Sequence, residues 1–205
     1  MKSDGRAFWE RTAARYDRSM LLFGGPLEAM LPLVAAEVAG LDRVLEVAAG
    51  TGQVTRALAP EVGSVVATDY AEAMVARLEN RARDDGLDNV EVRQLDLLDL
   101  DGSEQFDAVV AANVLHLLPD LDGALSAMVR ALRPGGRLIV PTYCHDETAW
   151  SRATSRVLGL VGFPGQRRLT LARLVEVLYA QRLELRQAVL LPGLLPIGFV
   201  SAARA

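Results

Sequence analysis

Cysteine is almost absent: Cys144 is the only one in 205 residues. No intrachain disulfide can form, and a reducing, cytoplasmic location is expected. A basic excess is absent too, since 22 Lys and Arg face 26 Asp and Glu for a formal net charge of −4. A dedicated nucleic-acid binder carries the opposite imbalance, so nucleic acid is not the expected partner. Long hydrophobic runs are also lacking. The apolar stretches Val157–Phe163 and Ala188–Val200 are broken by Gly and Pro and fall short of the ~20 residues a membrane helix needs. The segment Met1–Asp17 is charged and interrupted, without the apolar centre of a secretory signal. Stable membrane insertion is therefore not expected. Metal binding is not expected either, because Cys144, His145, Asp146 and Glu147 are consecutive and cannot all turn to one ion, and no second ligand group has metal spacing.

What is present is the balance of a folded globule, 51% hydrophobic and 23% charged. Short apolar runs alternate with helical periodicity, the pattern of β-α units around a parallel sheet. The runs are Arg43–Ala48, Ser64–Thr68, Val90–Leu95, Phe106–Ala112 and Arg137–Tyr143. Between them, Gln53–Ala59, a face of Met74, Leu78 and Ala82, and a face of Leu121, Leu125, Met128, Val129 and Leu132 read as helices. Pro134-Gly135-Gly136 reads as the stop of the last of these. Leu171, Leu174, Val175 and Leu178 fit another helix, and Leu183–Leu190 with Leu195–Ala203 close the chain as two strands. The expectation is an α/β fold: a Rossmann-like, doubly wound, seven-stranded sheet, mostly parallel, with a C-terminal antiparallel hairpin strand. Residues 1–40 are expected to form an N-terminal helical cap within the same domain, and 41–205 the sheet domain.

Ligands of open α/β sheets bind outside the carboxyl ends of the strands. Those ends are Glu46–Gly52, Asp69, Asp96 and Asn113. Glycines let a backbone approach a ligand closely, and the helix after the turn offers free N–H groups. Asp69, about 20 positions beyond the turn, suits two ribose hydroxyls, although it also fits a helix cap. Asp96 can accept from an adenine amine, with Leu95 and Leu97 as apolar neighbours.

The series Val44-Leu45-Glu46-Val47-Ala48-Ala49-Gly50-Thr51-Gly52, Val66-Ala67-Thr68-Asp69, Leu95-Asp96, Phe106-Asp107-Ala108-Val109-Val110 and Leu132-Arg133-Pro134-Gly135-Gly136 resembles the class I S-adenosylmethionine-dependent methyltransferases, in order and spacing. The resemblance covers about Arg43–Tyr143. Phe8-Trp9 with Ala14-Arg15-Tyr16-Asp17 looks like the N-terminal segment of the ubiquinone/menaquinone-biosynthesis type. The resemblance implies S-adenosyl-L-methionine as cofactor and S-adenosyl-L-homocysteine as product; the strand-end residues and the apolar character of Val157–Phe163 add the expectation of methyl transfer to O, N, S or C of a small, partly apolar acceptor. It implies that Glu46, Gly50 and Gly52 form the cofactor loop, and that Asp69 holds the ribose, with Tyr70 and Met74 beside it. Asp96 and Leu97 would take the adenine, Asn113 the methionine part, and Tyr16 would cover the methionyl end. Ala48 stands where the family most often has its first Gly, which tightens the loop.

Of the two histidines, His116 reads as structural. His145 is open to two readings, a general base or substrate ligand and a solvated loop histidine. Arg167-Arg168 is a solvated pair or an anchor for an acidic acceptor. Two rivals share the turn and the carboxylate. A nicotinamide-dependent oxidoreductase would want a third Gly or Ala after Gly52 and a Tyr-x-x-x-Lys pair, and neither is present. A non-catalytic S-adenosylmethionine-binding regulator would have the same sequence features.

Overall fold

The computed structural model describes residues 7–11, 24–101, 105–160 and 167–205. Its strands are β1 (Arg43–Val47), β2 (Ser64–Asp69), β3 (Val90–Gln94), β4 (Phe106–Val110), β5 (Leu132–Ile139), β6 (Thr142–Tyr143), β7 (Leu183–Leu191) and β8 (Ile197–Arg204). They form one sheet in the order β3-β2-β1-β4-β5-β8-β6, with β7 on β8. The pairs among β1 to β5 are parallel, and β8 runs antiparallel to β5, β6 and β7.

The sheet has eight strands rather than seven because the run expected at Arg137–Tyr143 is split. Pro141 has no N–H to give to a ladder, and β5 and β6 are two pieces of one path along β8, with Val140 N donating to Val200 O at 2.9 Å between them. A second difference lies at Pro134-Gly135-Gly136. Helix α5 stops earlier, at Ala131, and these residues form a bulge inside β5. Leu132 stands opposite Phe106 but Arg137 opposite Ala108, so four residues of β5 face one of β4, with Gly135 at φ 76.

The helices are α1, described over residues 7–11, α2 (Gly24–Val38), α3 (Gln53–Leu58), α4 (Glu72–Asp84), α5 (Leu121–Ala131), α6 (Ala149–Leu160) and α7 (Leu171–Ala180). Alternation along each strand assigns its residues to two cores. Val44, Val65, Ala67, Ala108, Val110 and Ile139 meet Met30, Val34 and Val38 of α2 with Val54 and Leu58 of α3. Leu45, Val47, Val66, Val109 and Leu138 meet α5 and α7 through Leu125, Met128, Leu174 and Leu178. Burial on both faces explains why β1, β2 and β4 read as largely apolar runs, whereas β3, at the edge of the sheet, is mixed and mostly exposed. Helix α5 is capped by Asp120, which accepts from Gly123 N, and α7 by Thr170, which accepts from Arg173 N. Among the described residues no helix is long and apolar enough to cross a membrane.

The amino ends of the strands are tied by Asp107, 3% exposed. Its Oδ2 accepts from the backbone N–H of Asp42 at 3.1 Å and of Arg43 at 2.8 Å, and its Oδ1 is ion-paired with Arg133 in the β5 bulge.

Candidate functional site

At the carboxyl ends of β1 to β4 the chain leaves a cavity of about 670 Å³, counting the part continuous with solvent. The turn after β1 is held by Ala49 N donating to Thr68 O at 2.9 Å and Gly52 N to Ala49 O at 3.0 Å. It needs positive φ at three positions: 53 at Ala48, 58 at Gly50 and 88 at Gly52. A Cβ on Gly50 would have nothing within 4 Å, and Ala48 and Gly50 both face the cavity. Gly52 does not line it. There a Cβ would meet the buried Leu78 side chain of α4, so this glycine serves the approach of the turn to α4.

Asp69 ends β2 and is 5% exposed. Its Oδ2 accepts from Gly50 N and its Oδ1 from Ala71 N, each at 2.9 Å. Burial pushes its pKa up, against the lowering effect of those amides and of Tyr70 N, and the charge of Glu10 adds to the rise. Three amides thus engage the carboxylate, which keeps capacity for a further ligand donor. Asp96 follows β3, and its neighbour Leu95 donates its N–H to Asp69 O at 3.0 Å. Asp96 Oδ1 accepts from Leu98 N at 3.1 Å as the cap of a short 3-10 turn. Both carboxylates line the same cavity, as do Tyr70, Met74 and Leu97.

Asn113, after β4, sits at φ 54 and donates its N–H to Pro141 O at 2.7 Å. Its buried Oδ1 has no hydrogen-bond partner and it lines the cavity. Leu95, Val114, Leu117 and Leu118 supply apolar wall. Arg167 braces that wall, because Nε and Nη2 donate to the carbonyls of Leu118 and Pro119 and its backbone N–H donates to His116 O. Its exposed side chain thus has carbonyl partners as well as contact with solvent.

Glu46 lies behind the turn at 1% exposure, off the cavity wall. Thr55 Oγ1 donates to its Oε2 at 2.5 Å. Burial raises its pKa to about 8, partly countered by that hydrogen bond and aided by the Asp69 charge, so the carboxyl is largely neutral at pH 7. His145 is also off the wall, and it is buried at 3% rather than solvated. Its ring centroid lies 5.0 Å from that of His116, and Tyr143 packs edge-on to both. Burial lowers His145 to about 4 and His116 to about 3, so both imidazoles are neutral at pH 7. Tyr16 lies outside the described residues.

Sequence reasoning missed Trp9 and the Val114, Leu117, Leu118 wall. The apolar run after Asn113 was the available signal for the wall; nothing local distinguishes Trp9 from a packing residue.

A methyltransferase domain family model matches residues 44–136, from the second residue of β1 to the β5 bulge. The ubiquinone/menaquinone biosynthesis C-methyltransferase UbiE of Teredinibacter turnerae is 36% identical over 163 residues, 73% of this chain and 66% of that protein. The UbiE of Methylococcus capsulatus is 34% identical over 170 residues, 77% of this chain and 68% of that protein. The UbiE of Pseudomonas fluorescens is covered over only 57% of its length, so the chain spans about two thirds or less of most such relatives. Among solved structures, a putative methyltransferase of Bacillus halodurans shares 26% identity at TM-score 0.69, over 79% of this chain and 71% of that one. The YcgJ protein of Bacillus subtilis shares the fold, with TM-score 0.75 at 17% identity over 86% and 98%. A relative at 34% identity that is matched over more than two thirds of both chains, on a Rossmann-like sheet, means that this chain belongs to the class I S-adenosylmethionine-dependent methyltransferases, in the neighbourhood of UbiE.

Proposed function

We propose that this chain binds S-adenosyl-L-methionine in the cavity at the β1–β4 carboxyl ends and transfers its methyl group to a small, partly apolar acceptor. One observation carries the reading: Asp69 and Asp96, from neighbouring strand ends, line a single cavity beside Gly50. The unpartnered Asn113 Oδ1 that lines it is an acceptor awaiting a donor such as an ammonium.

The reading gives Asp69 the ribose hydroxyls, and Asp96, Leu95 and Leu97 the adenine. Gly50 and Ala48 let the backbone approach, Asn113 takes the amino-acid portion, and Met74 and Tyr70 contribute wall. Glu46 and Gly52 act from behind by shaping the turn, and the methionyl cover at Tyr16 stays part of the proposal. When bound, the cofactor supplies an electrophilic methyl group. The chain's own work is then to align the acceptor and exclude water, which can be worth roughly 7–11 kcal/mol. The Leu117–Leu118 wall favours an apolar acceptor body. The relatives' C-methyltransferase names favour a carbon atom activated by a neighbouring hydroxyl. His145 stays in the proposal as the proton acceptor for such an acid: it is neutral at pH 7, stands behind the cavity wall, and is made a weak base by its burial. His145→Gln should lower turnover without changing S-adenosylhomocysteine affinity, and unchanged turnover would remove it from the reaction.

The buried, free Cys144 supports action in a reducing cytoplasm, and the net charge of −4 supports an acceptor other than nucleic acid. Calorimetric titration with S-adenosylhomocysteine should show saturable binding that Asp69→Ala abolishes, and absence of binding to the wild type would refute the reading. Methyl label should enter a panel of phenolic and quinol-like small molecules; label in DNA or RNA would overturn the acceptor class.

A further inference from the structure

One wall of the cavity does not come from the sheet domain's strand ends at all. Trp9 of α1 lines it, packed with Ala71, Ala73 and Met74 and edge-to-face with Phe8 at 5.1 Å. The next residue accounts for its position. Glu10 spreads its carboxylate over the amino end of α4, Oε1 accepting from Glu72 N at 2.8 Å and Oε2 from Ala73 N at 2.9 Å.

Helix α4 needs that help. Its own cap residue is Ala71, with no side-chain hydrogen bond, so the amides of Glu72 and Ala73 have no cap side chain of their own helix to donate to. Glu10, 62 and 63 residues upstream of the amides it caps, does what a local Ser or Asp does elsewhere, with a charge that also suits the positive end of the helix dipole. The chain lacks a local cap and obtains one from the segment that carries Trp9. Since Asp69 accepts from Ala71 N in the same turn, the cap, the tryptophan and the ribose carboxylate meet at one helix end.

We propose that Glu10 is a positioning residue that latches Trp9 against the cofactor cavity, so that α1 and α4 close on the bound cofactor as a unit and slow its departure. The proposal rests on the cavity being the cofactor site. The latch engages two backbone amides, so it holds whatever acceptor is used; it governs cofactor retention rather than acceptor choice.

The test uses the Trp150→Phe chain, in which Trp9 is the only tryptophan, since the sequence has two and Trp150 stands 76% exposed on α6. S-Adenosylhomocysteine should alter Trp9 emission; if it binds nothing, the cofactor reading fails and the latch is judged by the ligand-free experiment. In that experiment, Glu10→Ala should expose Trp9 to acrylamide, with Glu10→Gln intermediate because its amide oxygen restores one acceptor. Unchanged quenching in Glu10→Ala would overturn the latch. With ligand, dissociation of isotopically labelled S-adenosylhomocysteine chased with unlabelled ligand, a readout that needs no tryptophan, should be about tenfold faster in Glu10→Ala and in Trp9→Ala. The double variant should be no faster than either single one, because both remove the same closure. Dissociation within twofold of the parent in Glu10→Ala, or multiplicative effects in the double variant, would refute the proposal. Trp9→Ala keeps the α4 cap and so reads retention even where Glu10→Ala folds poorly.

Discussion

Gly50→Ala and Gly52→Ala add the same methyl group to the same turn and should fail in different assays. Both sites have positive φ, 58 and 88, a conformation that costs an L-residue ~1–2 kcal/mol. At Gly50 the new Cβ has nothing within 4 Å, so stability should fall by about that amount alone. The methyl group then occupies space on the cavity wall, and S-adenosylhomocysteine should bind at least about tenfold more weakly, ~1.4 kcal/mol. At Gly52 the Cβ runs into Leu78, which is 1% exposed. Overpacking of this kind adds ~1–3 kcal/mol, so the total loss should reach about 2–5 kcal/mol when combined with the backbone strain. Urea denaturation reads the stability difference, and calorimetry on the folded variants reads affinity per site. A Gly52→Ala protein with the wild-type denaturation midpoint, or a Gly50→Ala protein with undiminished affinity, would refute the division of labour within the turn.

Three further outcomes follow from the same geometry. Ala48 already carries the strain of a left-handed backbone at φ 53. Ala48→Gly should raise stability by up to ~1 kcal/mol after the entropic cost of glycine, and a lower thermal midpoint would contradict the strain. Glu46 is raised from 4.5 to about 8, so its contribution is full below pH 4.5 and is lost as pH rises through 8. Glu46→Gln does not titrate there, and each pH step of one between those two values is worth ~1.4 kcal/mol. Its stability relative to wild type should therefore improve by a few kcal/mol on going from about pH 5 to about pH 8.5; parallel pH–stability curves would rule this out. Asp107→Ala strands the amides of Asp42 and Arg43, at ~1–3 kcal/mol each, while the half-exposed Arg133 adds little. Urea midpoints should record the loss and calorimetry should find ligand affinity within twofold; a matching loss of affinity would show that the two strand ends are coupled.

The strand runs, the glycine turn, Asp69 and Asp96 were legible because each is a local signal. A strand buried on both faces has to be apolar throughout, and the end of such a run marks the ligand side of the sheet. The interruptions of β5 were not legible. Pro134-Gly135-Gly136 carries the same turn chemistry whether it stops a helix or bulges a strand, and only the register against β4 decides. The burial of His145 was equally hidden, since Cys144-His145-Asp146-Glu147 reads as a polar loop until His116 and Tyr143 are brought against it. Glu46 and Gly52 were recognised as loop residues, but the direction in which each side chain position points depends on α3 and α4. Trp9 and Glu10 depend on contacts about 60 residues away, for which no spacing rule exists.

Asp107 fastens the strands at the end remote from the cavity, and it does so with backbone amides and one arginine rather than with anything a ligand touches. Foundations and workspace are thereby segregated along the length of each strand. Mutations that retool the open rim draw on different residues from those that keep the sheet assembled, so new acceptors can be explored there without gambling the scaffold.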